Sequence, residues 1–215
     1  MNPAIPQSCL PSMPSVSYIV SAFERPDCLP CCLWSLKIQT DPDFEVIVAD
    51  NALDWRVQLQ HQRAVEALGD SRFRHCNTAK QSTDQAWDSY WSAEWAVKHE
   101  TRGAWICLPS DDSYYVPVFQ QVMLTKARLD KLQLVYCDML YDRRLAGKYK
   151  VLNTAPAPEF IDKTGFLVAR DAWIGFPTKR QRWPGPSICD GQMIQELVRR
   201  GVPHGKVDEV LCVHN

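Results

Sequence analysis

The stretch PSVSYIVSAFERP, residues 14–26, is a short β-rich run that ends in a polar turn. Apolar residues then recur at helical spacing, at Leu29, Cys32, Leu33 and Leu36. The next run, Phe44–Ala49, is apolar after Glu45, as is typical of a parallel strand covered on both faces. Strands and helices alternate in this way through the first half of the chain. The pattern predicts an α/β fold with a mainly parallel central sheet flanked by helices.

Polar residues close three of the predicted strands. Ser21–Arg25 follows the first strand, Asp50 and Asn51 follow the second, and Asp111 and Asp112 follow a later apolar run. In an open α/β sheet, ligands bind outside the carboxyl ends of the strands, where residues far apart in sequence converge. The topology, more than any single motif, therefore predicts one site at these strand ends.

The adjacent carboxylates of Asp111 and Asp112 indicate a metal site. Two like charges at a strand end are unfavourable unless a cation or hydrogen bonds stabilise them. A hard divalent cation, Mn²⁺ or Mg²⁺, suits oxygen ligands and commonly fills its other positions with phosphate oxygens and water. The simpler interpretation is a solvated turn that caps the next helix. The apolar strand before the pair and the polar strand ends beside it favour the metal site.

The sequence contains no glycine-rich phosphate loop. Neither the dinucleotide-binding fingerprint nor the Walker pattern is present. Phosphate recognition would therefore depend on the metal at the aspartate pair.

Length, charge and hydropathy limit the classes of protein to which the chain can belong. Its 215 residues are enough for one domain, and a formal net charge of -1 argues against broad nucleic-acid binding, which needs a basic face. No apolar run is long enough to cross a bilayer. Residues 1–14 are Pro-rich and unlike a signal peptide. We therefore expect a flexible leader, a single domain over residues 15–215 and a cytoplasmic protein.

The cysteines do not suggest a secreted disulfide framework. There are nine, an odd number, and they are scattered along the chain. The cluster Cys28, Cys31 and Cys32 lacks the second pair that a structural zinc site needs. We expect free thiols, since cysteine inside an apolar segment behaves as a small hydrophobe.

Several segments resemble the family 2 glycosyltransferases, which have the GT-A fold. In chain order they are residues 14–26, 33–40, 44–51, 111–117, 166–173 and 190–201. The first is similar to the family's opening strand and turn and is the most specific part. DDSYYVP, residues 111–117, resembles the family's acidic metal motif and the proline that opens the next helix. The match is looser in the later segments, where an acceptor would bind.

The resemblance implies a set of nucleotide-binding residues: Ser21, Phe23, Glu24, Asp50, Asn51, Lys80 and Asp111. Ser21 and Phe23 would line the nucleoside pocket, and Asp50 would accept the N–H of the base, with uracil expected. Lys80 would stand in for an arginine that many relatives direct at the diphosphate. Glu24 departs from the family pattern, which usually has asparagine there.

The same resemblance implies the metal ligands and a catalytic base. Asp112 would be the principal ligand, with Asp111 in the metal shell and His214 close to the metal. Asp190 would be the general base that takes a proton from the acceptor hydroxyl. A nucleotide-sugar-binding half would span residues 15–112, and an acceptor-binding half residues 113–215.

The sequence therefore predicts an inverting, metal-dependent transfer of a sugar from a nucleotide-diphosphate sugar, with UDP as the expected nucleotide. The acceptor would be the hydroxyl of a saccharide, a lipid-linked molecule or another compound, which leaves peripheral contact with the inner membrane face open. Two alternatives remain. One is a non-catalytic nucleotide-sugar-binding protein of the same fold. The other is a nucleotidyltransferase, although Ser21–Arg25 lacks the glycines usual in the first loop of such enzymes.

Overall fold

The computed structural model describes residues 13–79, 89–142, 147–176 and 189–215. These residues contain nine strands: β1 (Val16–Ala22), β2 (Phe44–Asp50), β3 (Phe73–Asn77), β4 (Trp105–Cys107), β5 (Ser113–Tyr115), β6 (Leu134–Tyr141), β7 (Lys150–Leu152), β8 (Phe166–Ala169) and β9 (His204–His214). They also contain five α-helices: α1 (Leu29–Lys37), α2 (Trp55–Glu66), α3 (Ser89–His99), α4 (Phe119–Leu129) and α5 (Cys189–Arg199). Strand and helix alternate up to β4, so the α/β prediction is confirmed.

The strands form one mixed sheet in the order β3-β2-β1-β4-β8-β6-β9-β5, with β7 paired to β6. The segment β3-β2-β1-β4 is parallel throughout, and β6 and β9 are also parallel. The remaining pairs are antiparallel. The parallel part lies in the first half of the chain, where a helix crosses over between successive strands. In the second half, some strands are joined by shorter connections, such as the one from β6 to β7. Short connections allow antiparallel pairing.

Helices cover both faces of the sheet. Along β1, Tyr18 and Val20 face one apolar layer and Ile19 faces the other. The first layer is formed with α1, α2 and α4, and the second with α3 and α5. Strands β1 and β2 are buried along their whole length, which explains why they are nearly continuous apolar runs in the sequence. This burial, at about 25 cal/mol per Å² of apolar surface, holds the strand ends in fixed positions.

Seven of the described cysteines are free thiols: Cys28, Cys31, Cys32, Cys76, Cys107, Cys137 and Cys212. Cys31 is exposed, Cys28 is half-buried, and Cys32 is buried. None of the helices within the described ranges is both long enough and apolar enough to cross a lipid bilayer.

Candidate active site

Backbone hydrogen bonds join the carboxyl ends of the parallel strands. The Ser21 N–H donates to the Pro109 carbonyl at 2.9 Å, and the Asp111 N–H donates to the Ser21 carbonyl at 3.1 Å. Strands β5 and β9 pair in antiparallel fashion, with Ser113 opposite His214. Residues from β1, from the β4–β5 connection and from β9 are thereby brought to one edge of the sheet, as the sequence predicts for the first two.

The carboxylates of Asp111 and Asp112 are both buried, and Arg25 binds both of them. Arg25 Nη2 lies 2.6 Å from Asp111 Oδ1, and Arg25 Nη1 contacts Asp112 Oδ2. The Phe23 N–H also donates to Asp111 Oδ2, at 3.2 Å. Burial raises the pKa of Asp111, although Arg25 acts in the opposite direction. Arg25, to which the sequence analysis gives no role, is the counter-cation of the aspartate pair.

The donor set around Asp112 suits a divalent cation. Asp112 Oδ1 is buried without a hydrogen-bond partner, and His214 Nε2 lies 3.5 Å from it. The described residues contain no group of three or more His, Cys, Asp or Glu side chains that could together hold a metal ion. Mg²⁺ and Mn²⁺ nevertheless often take one or two protein ligands and complete their shell with phosphate oxygens and water. Asp112 and His214 fit a cation of that kind better than Asp111, whose Oδ2 is already bonded to the backbone.

A second carboxylate, Asp162, orients the His214 ring. His214 Nδ1 lies 3.0 Å from Asp162 Oδ2, which leaves Nε2 on the side of Asp112. Burial lowers the pKa of His214, but the charge and hydrogen bond of Asp162, together with the Asp112 charge, act against it, and the net pKa is raised. Burial alone would raise the pKa of Asp162, but His214 and the Thr164 N–H lower it to about 2. A carboxylate behind a histidine is the usual arrangement for a metal-binding imidazole.

Asp190 lies in the first turn of α5 and is buried. Its Oδ2 accepts a hydrogen bond from the Lys163 N–H at 2.8 Å, whereas its Oδ1 has no partner among the described residues. The Tyr90 hydroxyl also interacts with this carboxylate. Burial, reinforced by the charge of Asp162, raises the pKa of Asp190 to about 6. A carboxylate with an unused oxygen and a pKa near neutrality is suited to general base catalysis.

Lys163 connects the two halves of the site. Its ammonium donates to Ser21 Oγ at 3.0 Å, and its backbone holds Asp190. Asp162 accepts from the Thr164 N–H at 2.9 Å and so begins the 3-10 turn Lys163–Gly165 that positions the lysine. Asp162 and Lys163 cannot be recognised from the sequence, because they belong to a polar connection without any periodic pattern.

Asp50 lies at the same edge of the sheet, in register with Ala22 of β1. Its carboxylate is fully buried and is directed at α2 and β3: His61 Nδ1 is 3.2 Å away and His75 Nε2 is 2.8 Å away. The Ala52 N–H also donates to Asp50 Oδ1, at 2.9 Å. Within the described residues, no polar contact joins Asp50 to Asp111 or Asp112. Asp111 and Asp112 thus share a site, while the base-binding role of Asp50 stays a prediction.

The other expected nucleotide-binding residues differ in their surroundings. Asn51 is buried, and neither polar atom of its side chain has a partner in the described ranges, so both are available to a ligand. Glu24 is exposed and accepts a hydrogen bond from the Leu53 N–H at 3.3 Å. Lys80 lies outside the described residues.

No protein-family model and no curated protein sequence match the chain. Solved structures do. TarS 1-349 from S. aureus superposes with a TM-score of 0.69 at 14% identity, over 94% of this chain and 60% of that one. The same TarS fragment in complex with UDP-GlcNAc gives a TM-score of 0.65 at 14% identity, over 93% and 58%. The mannosyltransferase PcManGT from Pyrobaculum calidifontis, in complex with GDP-Man and Mn²⁺, gives 0.68 at 16% identity, over 94% and 57%.

The chain therefore spans less than two thirds of the length of each of these proteins. At such low identity the likeness concerns the fold, and it extends over nearly all of this chain. PcManGT is a mannosyltransferase. The shared fold in this chain is a central sheet flanked by helices. This chain has the GT-A fold.

Proposed function

We propose that the protein is a glycosyltransferase that moves a sugar from a nucleotide-diphosphate sugar to a hydroxyl acceptor with inversion at the anomeric carbon. The observation that carries the proposal is the buried Asp190, which has a pKa of about 6 and one oxygen without a partner among the described residues. The Lys163 N–H holds this carboxylate, and the Lys163 ammonium reaches Ser21 at the strand ends. The fold supports it, since structural neighbours were solved with UDP-GlcNAc and with GDP-Man and Mn²⁺.

The donor nucleotide would bind at the carboxyl ends of β1 and β2. Phe23 borders this region, and the amide of Asn51, which has no partner among the described residues, offers both a donor and an acceptor to the base. Asp50 would contribute through its pairing with His75, whose side chain is partly exposed. The choice between UDP and another nucleotide rests on the sequence resemblance, and UDP is our proposal.

Asp190 would take the proton of the acceptor hydroxyl as that oxygen attacks the anomeric carbon. The nucleoside diphosphate leaves from the opposite side, so the bond to the acceptor forms as the glycosyl–phosphate bond breaks. The Lys163 N–H holds Asp190 Oδ2, which directs Oδ1 to the proton. A base placed in this way contributes about 10²–10⁴ in rate.

Asp112 and His214 would hold the divalent cation, Mn²⁺ or Mg²⁺, with Asp111 beside them. When bound, the cation supplies a Lewis acid that neutralises charge on the diphosphate. The ligand side chains are fixed beforehand, because Asp162 orients His214 and backbone bonds fix Asp111. As part of the same proposal, we place the protein in the cytoplasm, with contact at the inner membrane face open for a lipid-linked acceptor.

The experiment is a panel of UDP- and GDP-linked sugars, tested with Mn²⁺, with Mg²⁺ and with EDTA. Thermal shift reports binding, and release of UDP or GDP reports turnover. We expect one donor family to raise the melting temperature in the presence of the metal and to be consumed when an acceptor is supplied. In Asp112→Asn, we expect metal-dependent binding to be lost. No stabilisation by any nucleotide sugar, in either metal, would reject the proposal.

A non-catalytic nucleotide-sugar-binding protein is the alternative. It is favoured by one observation: Arg25 binds both Asp111 and Asp112, which stabilises the pair without a metal. Donor binding without consumption of the donor, by water or by any acceptor, would select this alternative.

A further inference from the structure

Lys163 is an unusual lysine because it is almost completely buried, with 5% of its surface exposed. Its ammonium reaches the Ser21 hydroxyl at 3.0 Å and the ring of Tyr90, with 5.5 Å to the ring centroid. Neither contact provides a negative charge. No ion pair within the described ranges includes Lys163. A buried ammonium is costly unless an anion compensates it, so this environment is suited to binding an anionic ligand.

The ammonium lies on the side of the site where the carboxylate pair is found. Ser21, which accepts its hydrogen bond, is bonded through its backbone to both Pro109 and Asp111. Burial raises the pKa of Asp111 and of Asp190, and the nearby Lys163 charge acts in the opposite direction on both. The cation therefore lies within electrostatic range of both Asp111 and Asp190.

The other cations at this edge are already engaged. Arg25 binds the carboxylates of Asp111 and Asp112, and His214 lies against Asp162. Among the described residues at this edge, Lys163 is the cation that forms no direct ion pair with a carboxylate. Its position is also fixed in advance, because its own N–H is bonded to Asp190 and it belongs to a 3-10 turn. A fixed charge of this kind loses little conformational entropy when a ligand binds.

We propose that the Lys163 ammonium binds the diphosphate of the nucleotide donor and stabilises the departing nucleoside diphosphate. The assignment rests on the proposed function, and it gives Lys163 the role that the sequence resemblance suggests for Lys80. The anion is a phosphate oxygen of the donor, because the ammonium contacts Ser21 at the strand ends. The Ser21 carbonyl accepts a hydrogen bond from the Asp111 N–H, so this position adjoins the aspartate pair. When the diphosphate binds, the ammonium exchanges a neutral hydroxyl for a charged acceptor, which makes a stronger hydrogen bond.

Calorimetry with UDP and GDP, and with uridine and guanosine as phosphate-free probes, tests the assignment. Titrations are run in EDTA and in Mn²⁺, so that the contribution of the lysine is separated from that of a metal. In Lys163→Gln, which keeps a donor for Ser21 but lacks the charge, we expect the affinity for the nucleoside diphosphate to fall about 10- to 100-fold. The affinity for the nucleoside should not change. Lys163→Arg should recover part of the loss.

The matched control is Lys126→Met, which removes a partly exposed lysine of α4 that pairs with Asp130 and should leave all affinities unchanged. Equal losses for nucleoside and nucleoside diphosphate would overturn the assignment, because they would show that Lys163 only supports Ser21. Unchanged affinities would overturn it as well. If the wild-type protein binds neither nucleotide in any buffer, the proposed function fails and the assignment fails with it. If Lys163→Gln does not fold, Lys163→Met carries the same comparison.

Discussion

Asp190 differs from a surface aspartate in two respects that can be tested together. Burial and the Asp162 charge raise its pKa to about 6, and Oδ1 has no partner in the described residues. A carboxyl with a raised pKa is protonated, and inactive as a base, below that value. We therefore expect turnover to increase as the pH rises through about 6. In Asp190→Asn, kcat should fall by about 10²–10⁴ while the donor still binds.

The measurement is a pH profile of kcat from about pH 5 to about pH 8, with donor affinity measured separately by calorimetry. Glu196→Gln is the control, since Glu196 is on the same helix but pairs with Arg199 and Arg200 near the surface. It should leave the profile unchanged. Near wild-type turnover in Asp190→Asn would show that another group takes the proton.

At the scale of secondary-structure elements, the position of Asp190 depends on how α5 packs. A Cβ added at Gly191 would lie 2.4 Å from Pro158 Cα and 2.9 Å from Pro158 N. These are backbone atoms, so the start of α5 must move. Alanine favours a helix over glycine by about 1 kcal/mol, but overpacking costs about 1–3 kcal/mol. We therefore expect Gly191→Ala to lower the free energy of unfolding, and a shift of about 1 Å at Asp190 to lower kcat about 100-fold.

Urea unfolding and steady-state kinetics check this expectation side by side. Gln195→Ala, on the exposed face of the same helix, should change the free energy of unfolding by less than about 0.5 kcal/mol. If Gly191→Ala matches Gln195→Ala in both measurements, the close packing of α5 on Pro158 does not position the base.

Across the whole molecule, the sequence predicts the parallel half of the fold and the strand ends that it brings together. Apolar runs and helical spacing are periodic, and the parallel topology then places Ser21 beside Asp111 without further information. The second half of the chain is different, because its strands are mixed in direction and its site residues lie in connections. Asp162 and Lys163 enter the site through a 3-10 turn that has no sequence period. Their role follows only from burial and contacts.

Asp50 shows a further limit of prediction from strand ends. Its location at the edge of the sheet follows from the topology, but the direction of its carboxylate depends on His61 and His75. The burial of His61 could have been anticipated, since His61 and Val65 are four residues apart on the buried side of α2. The resulting cluster links β2, α2 and β3, so Asp50 also bears on the stability of the domain.

The Asp50 cluster leads to a prediction about the stability of the whole domain at low pH. Burial alone would raise the pKa of Asp50, but hydrogen bonds from His61, His75 and Ala52 lower it below its ordinary value of 3.8. A carboxyl with a lowered pKa contributes stability above its unfolded pKa, and that contribution is lost as the pH falls through the folded pKa. We expect Asp50→Asn to lower the free energy of unfolding by about 1–3 kcal/mol at pH 7. The difference from wild type should shrink below about pH 4.

Urea unfolding at neutral and acidic pH measures that difference, and Asp70→Asn is the control. Asp70 also accepts hydrogen bonds from an arginine, Arg72, but this ion pair lies near the surface, where such pairs contribute about 0–1 kcal/mol. We expect the free energy of unfolding to fall more in Asp50→Asn than in Asp70→Asn at pH 7, and the two losses to converge in acid. That result would identify the buried cluster as the source. A loss of equal size at every pH would instead indicate that Asp50 acts through its packing, because an uncharged contribution does not depend on protonation.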